Sequence, residues 1–318
     1  MELDERTCWY NLSATDGLGP VGAQKIAHVL DEKQASVLML VGLDASGLAG
    51  EFGLSERLAY AVEQQLLAPI SLPDVPEGVE LVVPGDEHFP NRRFLTAVPP
   101  IPPVLWCGGE RSLLAFAGSS LGIAGSRETS EDVLELVYHL ASEASRSGWL
   151  VVSGLAQGVD SEGHRGGING RTGTVGVLAS GIVNSSRSWQ PDDLDQLCVV
   201  SQFAPSDPWT GPRAMQRNGV IAALSDRVVV AAAGMSGGSY EMAQLCLKRK
   251  KPVYVFDLPP DVAEGNQRLI RDGAIPLDPT GPSDCLTPLQ EPAVRKLAPL
   301  TLFETDSSGS HTPSIGDR

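Results

Sequence analysis

The strongest constraint on this chain is the stretch Leu121–Asp160, LGIAGSRETSEDVLELVYHLASEASRSGWLVVSGLAQGVD. Its apolar run Leu121–Ala124 stops at Gly125-Ser126-Arg127. An amphipathic segment follows, and a second apolar run, Trp149–Val152, stops at Ser153-Gly154. The pattern is strand, turn, helix, strand, turn: a βαβ unit in which a helix supplies the crossover that parallel strands need. Both turns then lie at carboxyl ends of strands, where open parallel sheets bind their ligands. The helix is expected at 131–147, with Val133, Val137, Leu140, Ala141 and Ala144 on one face. Thr129 and Asp132 stand at capping-box spacing before it.

The same alternation continues downstream. Strands are expected at Thr174–Ala179, Cys198–Phe203, Arg227–Ala233 and Pro252–Leu258, with helices at 191–197, 213–224, 239–250 and 264–271. β-Branched strands without clear alternation, separated by helices, indicate a parallel sheet covered on both faces. The expected fold is therefore α/β and Rossmann-like, a mainly parallel sheet with helices on both faces, preceded by a small all-helical N-terminal domain.

The expected division is a helical domain at 1–68, a Pro-rich connection at 69–110, the Rossmann-like core at 111–285 and a disordered tail at 286–318. In the first part, Gly17-Leu18-Gly19-Pro20 interrupts the apolar positions as the turn of a helix-hairpin-helix does. Such turn amides can hold a phosphate; the segment is acidic, so packing on a partner is an equal reading. In the connection, dense prolines exclude long helices, and Leu81–Val83 and Val104–Trp106 are expected as edge strands. The tail is rich in Pro, Ser, Thr, Gly and Asp and too poor in apolar residues to order itself.

Charge bears on the choice of partner. The net charge is −15, from 24 Lys and Arg against 39 Asp and Glu. That argues against a protein coated in phosphate-binding cations. Residues 121–258, however, carry only about −2 and half of the Lys and Arg, so a local basic surface is open to them. Cys8, Cys107, Cys198, Cys246 and Cys285 are scattered without a CxxC pair. They fit neither a disulfide framework nor a zinc site, and buried thiols in a reducing cytosol are expected. The acidic start MELDERTCWY has no signal-peptide pattern and no apolar run reaches membrane-spanning length, so a cytoplasmic protein without membrane partners is expected. Neither metal nor cofactor is indicated.

Three glycine-rich turns carry the candidate site. Gly125-Ser126-Arg127 combines close backbone approach, a following helix N-terminus and a guanidinium suited to phosphate. Ser153-Gly154 repeats the device after the next strand. Beyond it, Asp160 and His164 are spaced to pair on a helix, either as a catalytic dyad or, as expected here, as an N-cap Asp with a structural His. The third turn is Gly237-Gly238-Ser239, preceded by Arg217-Asn218 at the opening of a helix. The run Lys248-Arg249-Lys250-Lys251 complements a helix C-terminus, at the end away from these loops.

These motifs, with FPNRRF, PPVLWCGG, GIAGSR, SGLAQGVDSEGH, GTVGVLASGI, RNGVIAALSD, SGGSYEMA and GNQRLIRDGA, resemble the DprA/Smf family of DNA-processing proteins from about residue 79 to 280. The resemblance implies an extended Rossmann fold that binds single-stranded DNA without sequence preference. It also implies help in loading RecA onto that DNA in natural transformation, usually as a homodimer and without catalysis. Carried to this chain, the strand pocket uses Gly125, Ser126, Arg127, Ser153, Gly154, Arg217, Asn218, Gly237, Gly238 and Ser239.

The chain departs from the family pattern in places. Ala214-Met215-Gln216-Arg217-Asn218-Gly219 lacks the Phe-Pro before Arg-Asn and the second Arg after it. A stacking aromatic and a cation, both contributors to single-strand affinity, are thereby missing. NSSRSWQP replaces a Tyr-Pro, Gly238–Ala243 differs from the family's Ser-Gly-Ser and Thr-Ala, and no winged helix is recognisable. Two other readings stand beside DNA binding. One is a nucleotide sensor; the other is a nucleoside-monophosphate phosphoribohydrolase, with Glu241 as its carboxylate.

Overall fold

The computed structural model describes residues 3–97, 100–185, 195–281 and 286–289. Helices α1 (Glu5–Ala14), α2 (Gly19–Lys33), α3 (Ala45–Phe52) and α4 (Glu56–Leu67) form the N-terminal helical region ahead of the sheet. Asp4, Asp44 and Ser55 cap α1, α3 and α4 by accepting from backbone amides. Gly17-Leu18-Gly19 does link two helices, α1 and α2.

The Pro-rich connection adds β1 (Glu80–Val82), the short helix α5 (Asn91–Thr96) and β2 (Leu105–Gly109). Both strands pair antiparallel: β1 with β2, and β2 with β6 (Leu197–Ser201). The helical region packs on this connection. Trp9 meets Phe94 and Tyr10 meets Trp106 edge to face, each with centroids 6.2 Å apart. The FPNRRF motif has a structural role, because Arg93 Nη1 and Nη2 donate to the Asp226 carboxylate at 2.9 and 3.1 Å. Asp226 in turn accepts from the amide of Ser120, so the connection is tied to the base of the parallel sheet.

The rest of the sheet is parallel: β3 (Ser120–Ala124), β4 (Leu150–Gly154), β5 (Thr174–Val177), β7 (Arg227–Val230), β8 (Val253–Phe256) and β9 (Ile275–Leu277), with β6. The strand order is β1-β2-β6-β5-β4-β3-β7-β8-β9. The intervening helices are α6 (Glu131–Arg146), α7 (Val159–Asn169), α8 (Gly211–Leu224), α9 (Gly238–Lys248) and α10 (Pro260–Arg271). Alternate residues of β7 serve opposite faces: Val228 and Val230 belong to the core that includes α8 and α9, whereas Val229 belongs to the one that includes α6. A strand buried on both sides needs apolar residues at every position, which is why alternation was missing from the sequence.

Several expectations need correction. The cap of α6 is Ser130, whose hydroxyl accepts from the Val133 amide; Thr129 and Asp132 form no capping box. Of the helix expected at 191–197, residues 191–194 lie outside the described residues, 195–196 are a turn and Leu197 opens β6. The expected strands each end earlier, at Val177, Ser201, Val230 and Phe256. The tail expected from 286 starts with a helical turn at 286–289 whose Leu286 and Leu289 are buried in the core. Its remainder, 290–318, lies outside the described residues, as do 186–191 of NSSRSWQP.

Candidate nucleic-acid interface

Chain order reverses between β3 and β7. Strands β3 to β6 extend one way across the sheet, and β7 to β9 extend the other way from β3. A crevice opens at such a switch point because the loops after the two adjacent strands leave on opposite faces. Here a cavity of about 380 Å³ lies between them. It is walled by Ala124–Arg127 at the end of β3, Ala232–Gly234 and Ser236–Tyr240 after β7, Asp160 of α7 and one face of α8.

The loops lock one another in place. The Ser126 amide donates to Ala232 O at 2.8 Å, and Ser239 Oγ donates to Gly125 O at 2.8 Å. Asn218 Nδ2 donates to Gly238 O at 3.0 Å, and the Val159 amide to Ser126 O at 3.2 Å. These groups build the frame, and the Ser126 and Val159 amides and the Ser239 hydroxyl are already engaged as donors. The helix that offers amides to the crevice is therefore not α6, as expected, but α9. Its N-cap, Gly237, holds φ +106°, a conformation that favours glycine, and no side chain caps this end. Gly238, Ser239 and Tyr240 line the crevice there.

Arg127 and Arg217 supply the charge. Arg127 is exposed, with its guanidinium 5.8 Å from the centroid of the Trp209 ring. Arg217 is 9 % exposed; its Nη1 donates to Val177 O at 2.9 Å, and its Nε has no partner among the described residues. Burial pushes the Asp160 carboxyl up to about 6, against the opposing pull of the Arg217 charge and the Ala156 amide. Burial likewise lowers the pKa of Arg217, with Asp160 opposing it.

Ser153 and Gly154 do not reach the crevice. Ser153 is buried and donates to Ile123 O at 2.7 Å. Gly154 lies beneath Arg217, and a methyl built on it would overlap the guanidinium and Asp160 Oδ2. Asp160 is not an N-cap, a place held by Gly158, and it does not pair with His164. The His164 ring lies within 2.8 Å of both Thr174 Oγ1, at Nδ1, and Gly154 O, at Nε2. A carbonyl only accepts, so Nε2 carries the proton; burial lowers the ring pKa to about 4 and keeps it neutral. Glu241 is exposed and outside the lining, its amide bonded to Gly237 O, so the phosphoribohydrolase reading loses its carboxylate. Lys251 donates to Ser225 O at the base of the sheet, away from the crevice.

Sequence reasoning missed three residues. Trp209 and Tyr240 line the crevice. Asn266 is fully buried and bonds Ala233 N, Ala231 O and Phe256 O, each at 2.9 Å, fixing the start of the third loop. Trp209 was legible as a large aromatic stranded between Pro208 and Gly211-Pro212, where no apolar periodicity gives it a core partner.

A model of the family described as DNA recombination-mediator protein A matches residues 80–287, which span the sheet and every loop of the crevice. The chain belongs to that family. It is 29 % identical over 210 residues to the DNA processing protein DprA of Bacillus subtilis, covering 62 % of this chain and 68 % of the relative. It is 28 % identical over 218 residues to Protein Smf of Escherichia coli, covering 66 % and 56 %. Among solved structures, DprA from Streptococcus pneumoniae superposes with a TM-score of 0.66 at 20 % identity, over 90 % of this chain and 98 % of that one. DNA processing protein A from Helicobacter pylori, described for its single-stranded DNA binding mode, gives 0.56 at 21 % identity, over 66 % and 95 %. Both share the α/β fold with a mostly parallel sheet. No helix among the described residues is long and apolar enough to cross a membrane.

Proposed function

We propose that this family member binds single-stranded DNA in the switch-point crevice and delivers it to a RecA-type recombinase in the cytoplasm, acting as a homodimer and without catalysis of its own. The observation that carries the reading is that Arg217 lines the crevice together with Arg127 and the uncapped end of α9. Two cations and a helix N-terminus around one cavity suit the phosphates of a polyanion. The DNA-processing relatives and the strand-binding description of the Helicobacter pylori protein support the choice of ligand. Gly125, Ser126, Asn218, Gly237, Gly238 and Ser239 act as the frame and Arg127 and Arg217 as the grips. The acidic remainder of the chain restricts contact to this crevice.

Fluorescence anisotropy with labelled oligothymidylate tests it. Binding should weaken steeply with salt, and Arg127→Ala should reduce the log–log slope by about 0.7, the value of one single-strand phosphate. No binding at low salt would sink the reading. Delivery to RecA is read from RecA filament assembly on the bound strand, and the dimer from sedimentation.

A further inference from the structure

Trp209 is 55 % exposed, whereas Trp9, Trp106 and Trp149 are buried. It sits immediately before Thr210, the N-cap of α8, and Thr210 Oγ1 accepts from the Arg213 amide. The position is rigid: Pro208 precedes it, Pro212 opens the helix, and Arg213 Nη1 donates to Pro208 O at 2.7 Å. Arg213 also pairs with Asp207 at 2.9 Å, closing the loop on itself. The ring therefore projects from a braced turn, and no core packing explains it.

Its surroundings supply the explanation. Beside the crevice lies a second cavity of about 410 Å³, lined by Leu155, Gln157, Leu178, Ala179, Ser180 and Asn184. The two cavities share Arg127, Ala156, Trp209 and Arg217. Trp209 and the guanidinium over it thus stand on the divide between two compartments, each within the size range of small-ligand sites. A cation held against an aromatic face beside a phosphate site is the arrangement in which base and backbone of one strand are gripped together.

We propose that Trp209 is a base-stacking shelf: an unpaired nucleobase lies on the indole while the phosphates on either side of it occupy the two cavities at Arg127 and Arg217. The inference rests on the single-strand reading above and adds what that reading leaves open, the feature that distinguishes a strand with free bases from a bare polyanion. Stacking needs the base face uncovered, so duplex DNA cannot use the shelf. Every base offers a face to the indole, so the shelf is blind to sequence.

The test measures the intact chain against three probes: oligothymidylate, an abasic oligomer of equal length, and duplex. Trp209→Ala should weaken oligothymidylate binding roughly 5- to 150-fold, the range for loss of one base–aromatic stack. Trp209→Phe should restore most of it. The salt slope should stay unchanged, because no phosphate contact is lost. Wild type and Trp209→Ala should bind the abasic oligomer equally, and duplex more weakly than wild type binds oligothymidylate. Equal oligothymidylate affinity for wild type and Trp209→Ala would overturn the shelf while leaving phosphate binding intact. An equal loss on the abasic oligomer would overturn it too, reducing Trp209 to a support for Arg127. Absence of wild-type binding to any strand removes both this inference and the reading beneath it. Unchanged thermal melting of the variant shows that the exposed ring was not holding the fold.

Discussion

Arg217→Met separates a binding cation from a structural one. Arg217 is 9 % exposed and, among the described residues, makes one hydrogen bond, Nη1 to Val177 O at 2.9 Å, with Nε unsatisfied. Methionine retains much of the side-chain volume and removes the charge. Losing the charge-assisted bond costs about 1.5–3 kcal/mol, and removing the orphaned buried donor returns about 1–3 kcal/mol. Asp160 loses the cation that does most to hold its carboxyl down, rises above about 6 and takes up a proton near neutrality. The opposing contributions are of similar size, so urea denaturation should show a change under about 2 kcal/mol. Strand binding has no such compensation: the salt slope should fall by about 0.7 and affinity should drop at every salt concentration. A destabilisation of about 3–5 kcal/mol, the size expected from breaking a buried ion pair, together with an unchanged slope, would refute the argument and make Arg217 part of the core.

Other outcomes follow from the same geometry. Gly154→Ala should displace the Arg217 guanidinium, since the added methyl overlaps it. It should weaken strand binding while costing about 1–3 kcal/mol by overpacking, and a crystal structure of the variant with Arg217 unmoved would contradict this. Asn266→Leu leaves Ala231 O, Ala233 N and Phe256 O without their side-chain partner. A loss of several kcal/mol in denaturant unfolding is expected, at about 1–3 kcal/mol per orphaned group, and a loss under about 1 kcal/mol would show that the loop re-forms its bonds. For pH, the two buried groups act in opposite directions. Asp160, raised to about 6 from 3.8, favours the folded state below pH 3.8, and that contribution is lost as pH rises through 6. His164, lowered to about 4 from 6.5, favours the fold above pH 6.5, and that contribution is lost as pH falls through 4. Each amounts to about 3 kcal/mol, so they offset between about pH 4 and 6. Asp160→Asn should therefore unmask a steep loss of stability below pH 6.5, and a variant whose pH profile matches wild type would refute the pairing.

The order of elements was legible because apolar runs and amphipathic spacing are local properties. Leu121–Ala124, Trp149–Val152 and Arg227–Val230 declare themselves as strands, and the helix from Glu131 shows its apolar face in five residues. The βα turns were legible for the same reason. Less visible was what each turn does once folded. The Ser126 amide is consumed by Ala232, and Ser153 is buried against Ile123. Both partners belong to other strands or the loops that follow them, and no spacing along the chain records them.

The sequence by itself determined a parallel α/β sheet and three glycine turns, because strand and helix periodicity and glycine's conformational range act over a few residues; Arg127 stood out as a guanidinium beside the first turn, and Arg217 entered through the family resemblance. Tertiary structure alone decided that β7 lies beside β3, which brings the third turn across from the first and leaves the second beneath Arg217. Only the fold set Trp209 next to Arg127 and buried Arg217 at the wall of the crevice. The reason is physical. Strand order comes from how helices cover two faces of a sheet at once, and desolvation comes from everything packed around a group, so both depend on contacts between residues far apart in the chain.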